Sequence, residues 1–535
     1  IDRSRGLGDV YKRQIMIRYI IILLIFLITS YVGVCQEKYW VFLSDKAHSV
    51  DDRSIYLDSR TIERRIKLGL PKYDSEDLPI SNSYFELISQ NTVEIKGISR
   101  WFNALCCVAD EDQIKKIKSF PFVKDVKRTV KHLNTCRTVS EEISVNNLME
   151  RQITSLEGQY FHKNNLTGKG IRICVIDGGF KGAKESPALK HLFENKQVLK
   201  SWDFHHKTEN VYRYNNHGTA VLSCIAGKYE NQIMGLAQSS EFLLARTERV
   251  LVENESEEEL WLMAMEWADA NGADIINTSL GYTSDEYFNY QMDGETSLIA
   301  RAVNLAAKKG ILVLVSAGNS GDEDWKYIAT PADADSALTV GAVTGSGLHR
   351  DFSSFGPTSD YRMKPNVVAF GDVMGATKNG IKKAYGTSFS CPLVAGFAAC
   401  VWEKHPNKSN MEIFKLVERS GSLFPYFDYA HGYGVPKASF FFKDKEKNPT
   451  FKIRKVQDSV LVEIIDKSYL NTGTQYMFMH VEYDQFIYQK NKRKVLEYYE
   501  TIYLHRDIPY VIDASQYKDR TLRFHLNGYT EKIRL

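Results

Sequence analysis

The stretch "YGTSFSCPLVAG", Tyr385 to Gly396, sets Ser388, Ser390 and Cys391 within four positions, and each could serve as a nucleophile. A serine at its own pKa is a poor one. Acyl transfer through it needs a base, a group to orient that base, and a donor for the developing oxyanion. The chain offers a candidate for each. "ICVIDGGF" ends a β-branched run on Asp177, "NNHGTAVLSCIAG" places His217 before Gly218-Thr219, and "VSAGNSG" sets Asn319 just past another apolar run. Singly, each has a plainer explanation: a strand-end Asp caps the next segment, a lone His is structural, and Gly-Asn makes a turn. Together they form a working set. His217 would take the Ser388 proton, Asp177 would hold the imidazole in the right tautomer, and the Asn319 amide would donate to the oxyanion, worth about 3–4 kcal/mol. The backbone N–H of Ser388, at a helix start, would add a second donor. Ser390 then lies about 200° around the helix from Ser388 and faces away, while Cys391 returns to within about 60°. Cys391 is a neighbour with no assigned step.

These residues need elements to bring them together. Between Leu148 and Phe442, the runs "GIRICVID", "ADIINTSLG", "GILVLVSAGN" and "ALTVGAV" alternate with helical segments. "ESEEELWLMAMEWADANG" and "TSLIARAVNLAAKKG" are the clearest helices, each ending at Gly. The pattern predicts an α/β fold with a doubly wound parallel sheet covered on both faces. Chemistry gathers at the carboxyl ends of such strands, where Asp177 and Asn319 fall. Residues 36–145 carry the strand "KYWVFL", a basic helical stretch "SRTIERRIKLG", and a strand, Asp-capped helix, strand unit in "WFNALCCVADEDQIKKIKSFPFVKDVKRT". There Ile114, Ile117 and Phe120 recur at helical spacing and Pro121 stops the helix, so a small α/β domain is expected. Polar "HLNTCRTVSEEISVNN" reads as a linker after it. From 448 to 535 the helices vanish. "SVLVEII", "QYMFMHVEY", "YYETIYL", "YVIDA" and "LRFHL", between polar turns, predict a β-sandwich-like domain.

Through "VIDGGF", "NNHGTAV", "NTSLG", "SAGNSG" and "GTSFSCPLVAG", in that order, residues 148–442 resemble the subtilisin-like serine peptidases, or subtilases. The resemblance implies a subtilisin-like fold and an endopeptidase that hydrolyses peptide bonds through an acyl-enzyme intermediate. It makes Asp177, His217 and Ser388 the triad and Asn319 the oxyanion residue. Ser279, Leu280 and Gly281 become the strand that pairs with substrate backbone, and Ala317 and Gly318 wall the first specificity pocket. "YGVPKASFFF" matches the usual end of the catalytic domain. Three positions depart from the family pattern: Gly178 stands where Thr or Ser is common, Phe389 where Met is, and Cys391 where Ser or Thr is. None removes a catalytic atom.

Residues 36–145 resemble the inhibitory propeptides of secreted subtilases, which implies a zymogen whose own propeptide fills the cleft. The combined layout resembles secreted subtilases of the Bacteroidetes group. Residues 448–535 would then be an accessory or sorting domain. No cofactor is required for this chemistry. Asp322, Glu323 and Asp324 could hold a structural calcium, with surface solvation as the plainer reading, so no metal ligand is assigned. The rival reading is a catalytically silent binding scaffold of the same fold, and the four intact catalytic positions weigh against it.

At the other end of the chain, "SRGLGDVYKRQ" resembles an adapter-derived read-through, so residues 1–15 are set apart and the natural chain is read from Met16. Residues 16–35, "MIRYIIILLIFLITSYVGVC", have the charged start, apolar run and small-residue end of a signal peptide. An uncleaved anchor or a lipidated Cys35 are the alternatives. All three place the protein outside the cytoplasm: secreted, periplasmic or on a bacterial cell surface. The formal charge of +3 arises from Arg3, Arg5, Lys12, Arg13 and Arg18 against Asp2 and Asp9, which leaves the chain from Gln36 neutral. That gives no electrostatic case for nucleic acid or an anionic membrane. The partners expected are protein or peptide substrates and the propeptide, with membrane met only in export or N-terminal anchoring. The cysteines beyond Cys35 include no C-x-x-C pair, and Cys174, Cys224 and Cys400 sit in apolar runs as expected buried thiols.

Overall fold

A computed structural model describes residues 36–47, 57–129, 145–248, 257–283, 287–443, 448–468, 470, 475–487, 491–505 and 507–535. The adapter-like leader and the signal-like segment lie outside them. So does the predicted linker, except for its last residues, which open the helix Val145–Thr154. The chain divides into two compact units.

Among the described residues, the first unit gathers 36–47, 80–98 and 103–129. Its sheet runs in the order Glu94–Ser99, Ala104–Ala109, Glu37–Leu43, Val123–Arg128. The expected strand–helix–strand unit is present, with the helix at Glu111–Lys118. Asp110 accepts from Gln113 N at 2.8 Å while Gln113 Oε1 accepts from Asp110 N at 3.0 Å, a reciprocal cap on two otherwise orphaned donors. Ile114 and Ile117 point inward to join Val41 and Leu105 in the core.

The second unit holds the described residues of 57–79, 99–102 and 145–535. Its seven-stranded sheet runs Val367–Phe370, Ala337–Val343, Leu312–Ser316, Ile275–Thr278, Arg172–Asp177, Glu241–Arg246, Val198–Asp203. Every pairing is parallel. The first strand in sequence, Arg172–Asp177, lies in the interior, with later strands added on both sides. Such a reversal of order opens a crevice at the carboxyl ends, and Asp177 stands at its lip. The two predicted helices form at Glu258–Ala270 and Leu298–Lys308. Two more, His217–Ala226 and Thr387–Lys404, carry the remaining candidates. The latter is buried from Thr387 to Trp402, which is why its sequence is apolar all round rather than striped. A hairpin not anticipated from sequence, Asp372–Thr377 with Gly380–Tyr385, feeds the chain into that helix.

The basic stretch at 59–67 is a helix, as expected, and its arginines face inward. Arg65 reaches Asp77 at 2.5 and 2.9 Å and Asp269 at 3.0 Å, and Arg64 pairs with the same Asp269. Nearby, Glu266 accepts from Ser99 Oγ at 2.6 Å and from the backbone of Arg100 and Trp101 at 3.1 and 3.2 Å. Residues 57–79 and 99–102 are thereby built onto the helix that flanks the large sheet.

The C-terminal region is β-rich. One sheet has the order Phe451–Val456, Ser459–Ile464, Tyr510–Asp513; the other Asn491–Leu504, Gln475–Ile487, Thr521–Leu526, Tyr529–Arg534. Alternate residues Val460 and Val462, Met477 and Met479, and Leu522 and Phe524 meet in one core, the period of two that pleated strands impose.

Candidate active site

Asp177 ends the interior strand with its side chain fully buried. Its Oδ1 accepts from Gly178 N at 2.8 Å, and both carboxylate oxygens lie 2.9 Å from His217 Nδ1. His217 opens its own helix, where Asn215 Oδ1 accepts its backbone N–H at 2.9 Å. The ring is 31% exposed, and Nε2 makes no hydrogen bond among the described residues. Burial disfavours the imidazolium, but the charge and hydrogen bond of Asp177 outweigh it, with a further push from Glu248, and hold the pKa up at about 8. The imidazole is oriented by a carboxylate on one side and open on the other.

Ser388 is the second residue of its helix. The three candidate nucleophiles separate by surface: Ser388 is 8% exposed, and Ser390 and Cys391 are sealed. Ser390 Oγ turns to Phe370 O at 3.4 Å, facing away as the helical rotation requires. Cys391 lies with Sγ 4.0 Å from Thr278 O, and burial raises its thiol well above the ordinary range. It packs behind the site and is closed to solvent. Pro392 sits within the helix and lacks the N–H that would bond to the carbonyl four residues back, which is that of Ser388. Ser279 Oγ donates to that carbonyl instead, at 3.0 Å, and Ser388 Oγ lies 3.4 Å from Ser279 O. The proline thus ties the expected substrate strand to the expected nucleophile.

Asn319 follows the strand Leu312–Ser316. Its Oδ1 accepts from Thr387 N and Thr387 Oγ1, each at 2.9 Å, so the amide is oriented with Nδ2 as its unspent donor. Gly386, which leads into this helix, has φ 136°, a conformation that residues with side chains rarely adopt. Thr387 Oγ1 lies also 3.2 Å from Gly318 O. Ala317 and Gly281 both adjoin Ala329: Ala317 O accepts from its N–H at 3.2 Å, and a Cβ on Gly281 would meet its Cβ at 3.0 Å. The backbone of Leu280 and Gly281 makes no hydrogen bond among the described residues, which leaves an edge open to another strand.

The contacts of three participants were not legible in the sequence. Thr387 fixes Asn319 from the helix start. Phe389 lays its ring 5.4 Å from that of His217, where the family pattern has Met. Glu248, near His217 and Asp177, lies two residues past the neighbouring strand Glu241–Arg246, and no local motif announces it. The acidic run Asp322, Glu323, Asp324 is exposed. Among the described residues no three His, Cys, Asp or Glu side chains converge to hold a metal ion.

Comparison with known proteins bears on this geometry. The subtilase family of peptidases matches residues 168–434, and the peptidase S8 propeptide domain of Bacteroidota matches residues 38–146. The chain is 30% identical over 283 residues to a subtilisin of Bacillus pumilus, covering 51% of this chain and 93% of that one. It is 28% identical over 342 residues to subtilisin NAT of Bacillus subtilis subsp. natto, covering 63% and 80%. In fold it resembles the epidermin leader peptide processing serine protease of Staphylococcus aureus, with TM-score 0.54 and 17% identity over 75% of this chain and 97% of that one. The chain belongs to the subtilase family: it is a subtilisin-like serine endopeptidase with a Bacteroidota-type propeptide domain ahead of its peptidase domain.

Proposed function

We propose that the protein is exported as a self-inhibited zymogen and cleaves protein or peptide substrates through a triad of Asp177, His217 and Ser388. One observation carries this reading. A histidine bound through Nδ1 to a buried carboxylate, with Nε2 open, shares the carboxyl edge of the sheet with the one candidate nucleophile that keeps some surface, at a helix start.

In this reading Ser388 Oγ attacks the scissile carbonyl carbon as its proton passes to His217 Nε2. Asp177 stabilises the imidazolium that results. The carbonyl oxygen, now charged, accepts from Asn319 Nδ2 and from the backbone N–H of Ser388, which the first turn of a helix leaves unspent. The Asn319 donor lowers the barrier by about 3 kcal/mol. As the tetrahedral species collapses, the C–N bond breaks and the leaving amine takes the proton from His217. Water then attacks the acyl-enzyme with His217 again as base, releasing the acid and restoring Ser388 Oγ–H. No cofactor enters these steps. Export rests on the signal-like residues 16–35, and self-inhibition on the propeptide domain.

A fluorophosphonate probe is expected to label the propeptide-free enzyme at Ser388, located by peptide mapping, and to leave Ser388→Ala unlabelled. Labelling elsewhere, or none in folded enzyme, would overturn the assignment.

A further inference from the structure

The strand Glu241–Arg246 runs beside Arg172–Asp177, with Arg246 opposite Asp177. Two residues later it brings the Glu248 carboxylate alongside the proposed dyad. A Cβ on Gly178 would come within 2.5 Å of Glu248 Oε2 and 3.1 Å of Asn215 Nδ2. The bare Cα at 178, one of the departures from the family pattern, leaves the end of this carboxylate room that a side chain there would share with it. Glu248 is partly buried and makes no hydrogen bond or ion pair among the described residues. The charged groups facing it are Asp177 and His217 from the adjoining strand and helix, and Arg246 at the end of the strand that leads into it. Arg246 is already engaged, with Nη1 2.7 Å from Asp203 Oδ2 and Nε donating to Gly178 O at 3.0 Å. A carboxylate half-withdrawn from water beside another carboxylate is unfavourable, and His217 and the already engaged Arg246 offset this only in part. A cation delivered by the substrate would relieve it.

We propose that Glu248 selects a Lys or Arg side chain in the substrate, at the residue immediately before the one whose carbonyl is attacked. The inference rests on the triad assigned above. With the acyl portion extended along Ser279 to Gly281, successive side chains point to opposite sides. The residue at the scissile bond enters the pocket walled by Ala317 and Gly318, so its predecessor turns the other way, over His217 toward Glu248. Burial, then the charge of Asp177, raise the Glu248 carboxyl to about 7 against the opposing pull of His217 and Arg246. It is therefore neutral in mild acid and ionised in mild base, and the preference strengthens as pH rises through about 7.

The test compares kcat/KM of the active enzyme on two fluorogenic peptides that differ only at that residue, lysine against norleucine. Lysine is expected to be favoured about tenfold or more in mild base and markedly less in mild acid. In Glu248→Gln the ratio is expected to fall to near unity, and in Glu248→Asp to remain above it. A wild-type ratio near one, from an enzyme that cleaves both peptides, overturns the proposal, as does a ratio unchanged in Glu248→Gln. If neither peptide is cleaved and Ser388 takes no label, the triad assignment falls and this proposal falls with it.

Discussion

At His217, the proposed base, two influences oppose each other, and in that role their balance would set the working pH. Burial favours the neutral ring; Asp177, and to a lesser degree Glu248, favour the charged one and win, holding the pKa at about 8. An imidazolium cannot accept the Ser388 proton, so the competent form is the one that has lost its proton. Because the pKa is raised, that form grows as pH rises through about 8 and is scarce in mild acid. The expected kcat/KM on an uncharged peptide therefore climbs with the slope of a single proton and levels in the alkaline range, read from initial rates between about pH 6 and 10. A profile already level at neutral pH would contradict the arrangement.

The helices and strands work by what their ends leave unpaired. Pro392 frees the Ser388 carbonyl and Ser279 claims it, so two elements far apart in sequence share one hydrogen bond at the site. The helix Glu258–Ala270 plays a different part. Its Asp269, fully buried, receives Arg64 and Arg65 from the helix Ser59–Lys67. Two buried guanidiniums are tolerable only while their carboxylates are present. Asp269→Ala is expected to destabilise this unit by about 3–5 kcal/mol, seen as a lower urea midpoint. A loss below about 1 kcal/mol, the range of exposed pairs, would mean the pair is not the anchor described.

Across the whole molecule, the segments 57–79 and 99–102 lie within the span matched by the propeptide family, yet they pack with the peptidase sheet. A zymogen that trims itself needs its own nucleophile to do so. Purified Ser388→Ala is expected to keep the residues before about Leu148 covalently attached, while wild type sheds them, the two separated by intact mass. Equal trimming of both in a pure preparation would assign the cut to another protease. The β-rich region 448–535 has a core of its own.

The sequence by itself determined the alternation of buried strands and helices, the Asp110-capped unit, the order of the catalytic motifs and the β-rich end. These are local properties: apolar period, capping residues and short motifs act within a few residues of themselves. It determined neither the hairpin Asp372–Thr377/Gly380–Tyr385 nor the inward turn of Arg64 and Arg65, which on propensity alone belong to a solvated basic face. Tertiary structure also decided which of three nucleophile candidates keeps exposed surface, because helix rotation orders them but only packing against Thr278 and Phe370 seals two of them. It alone set Glu248 beside Asp177, across a strand pairing that joins residues about seventy positions apart and into space next to the bare Cα of residue 178. A sequence can display an absent side chain, but only the fold determines what fills the space.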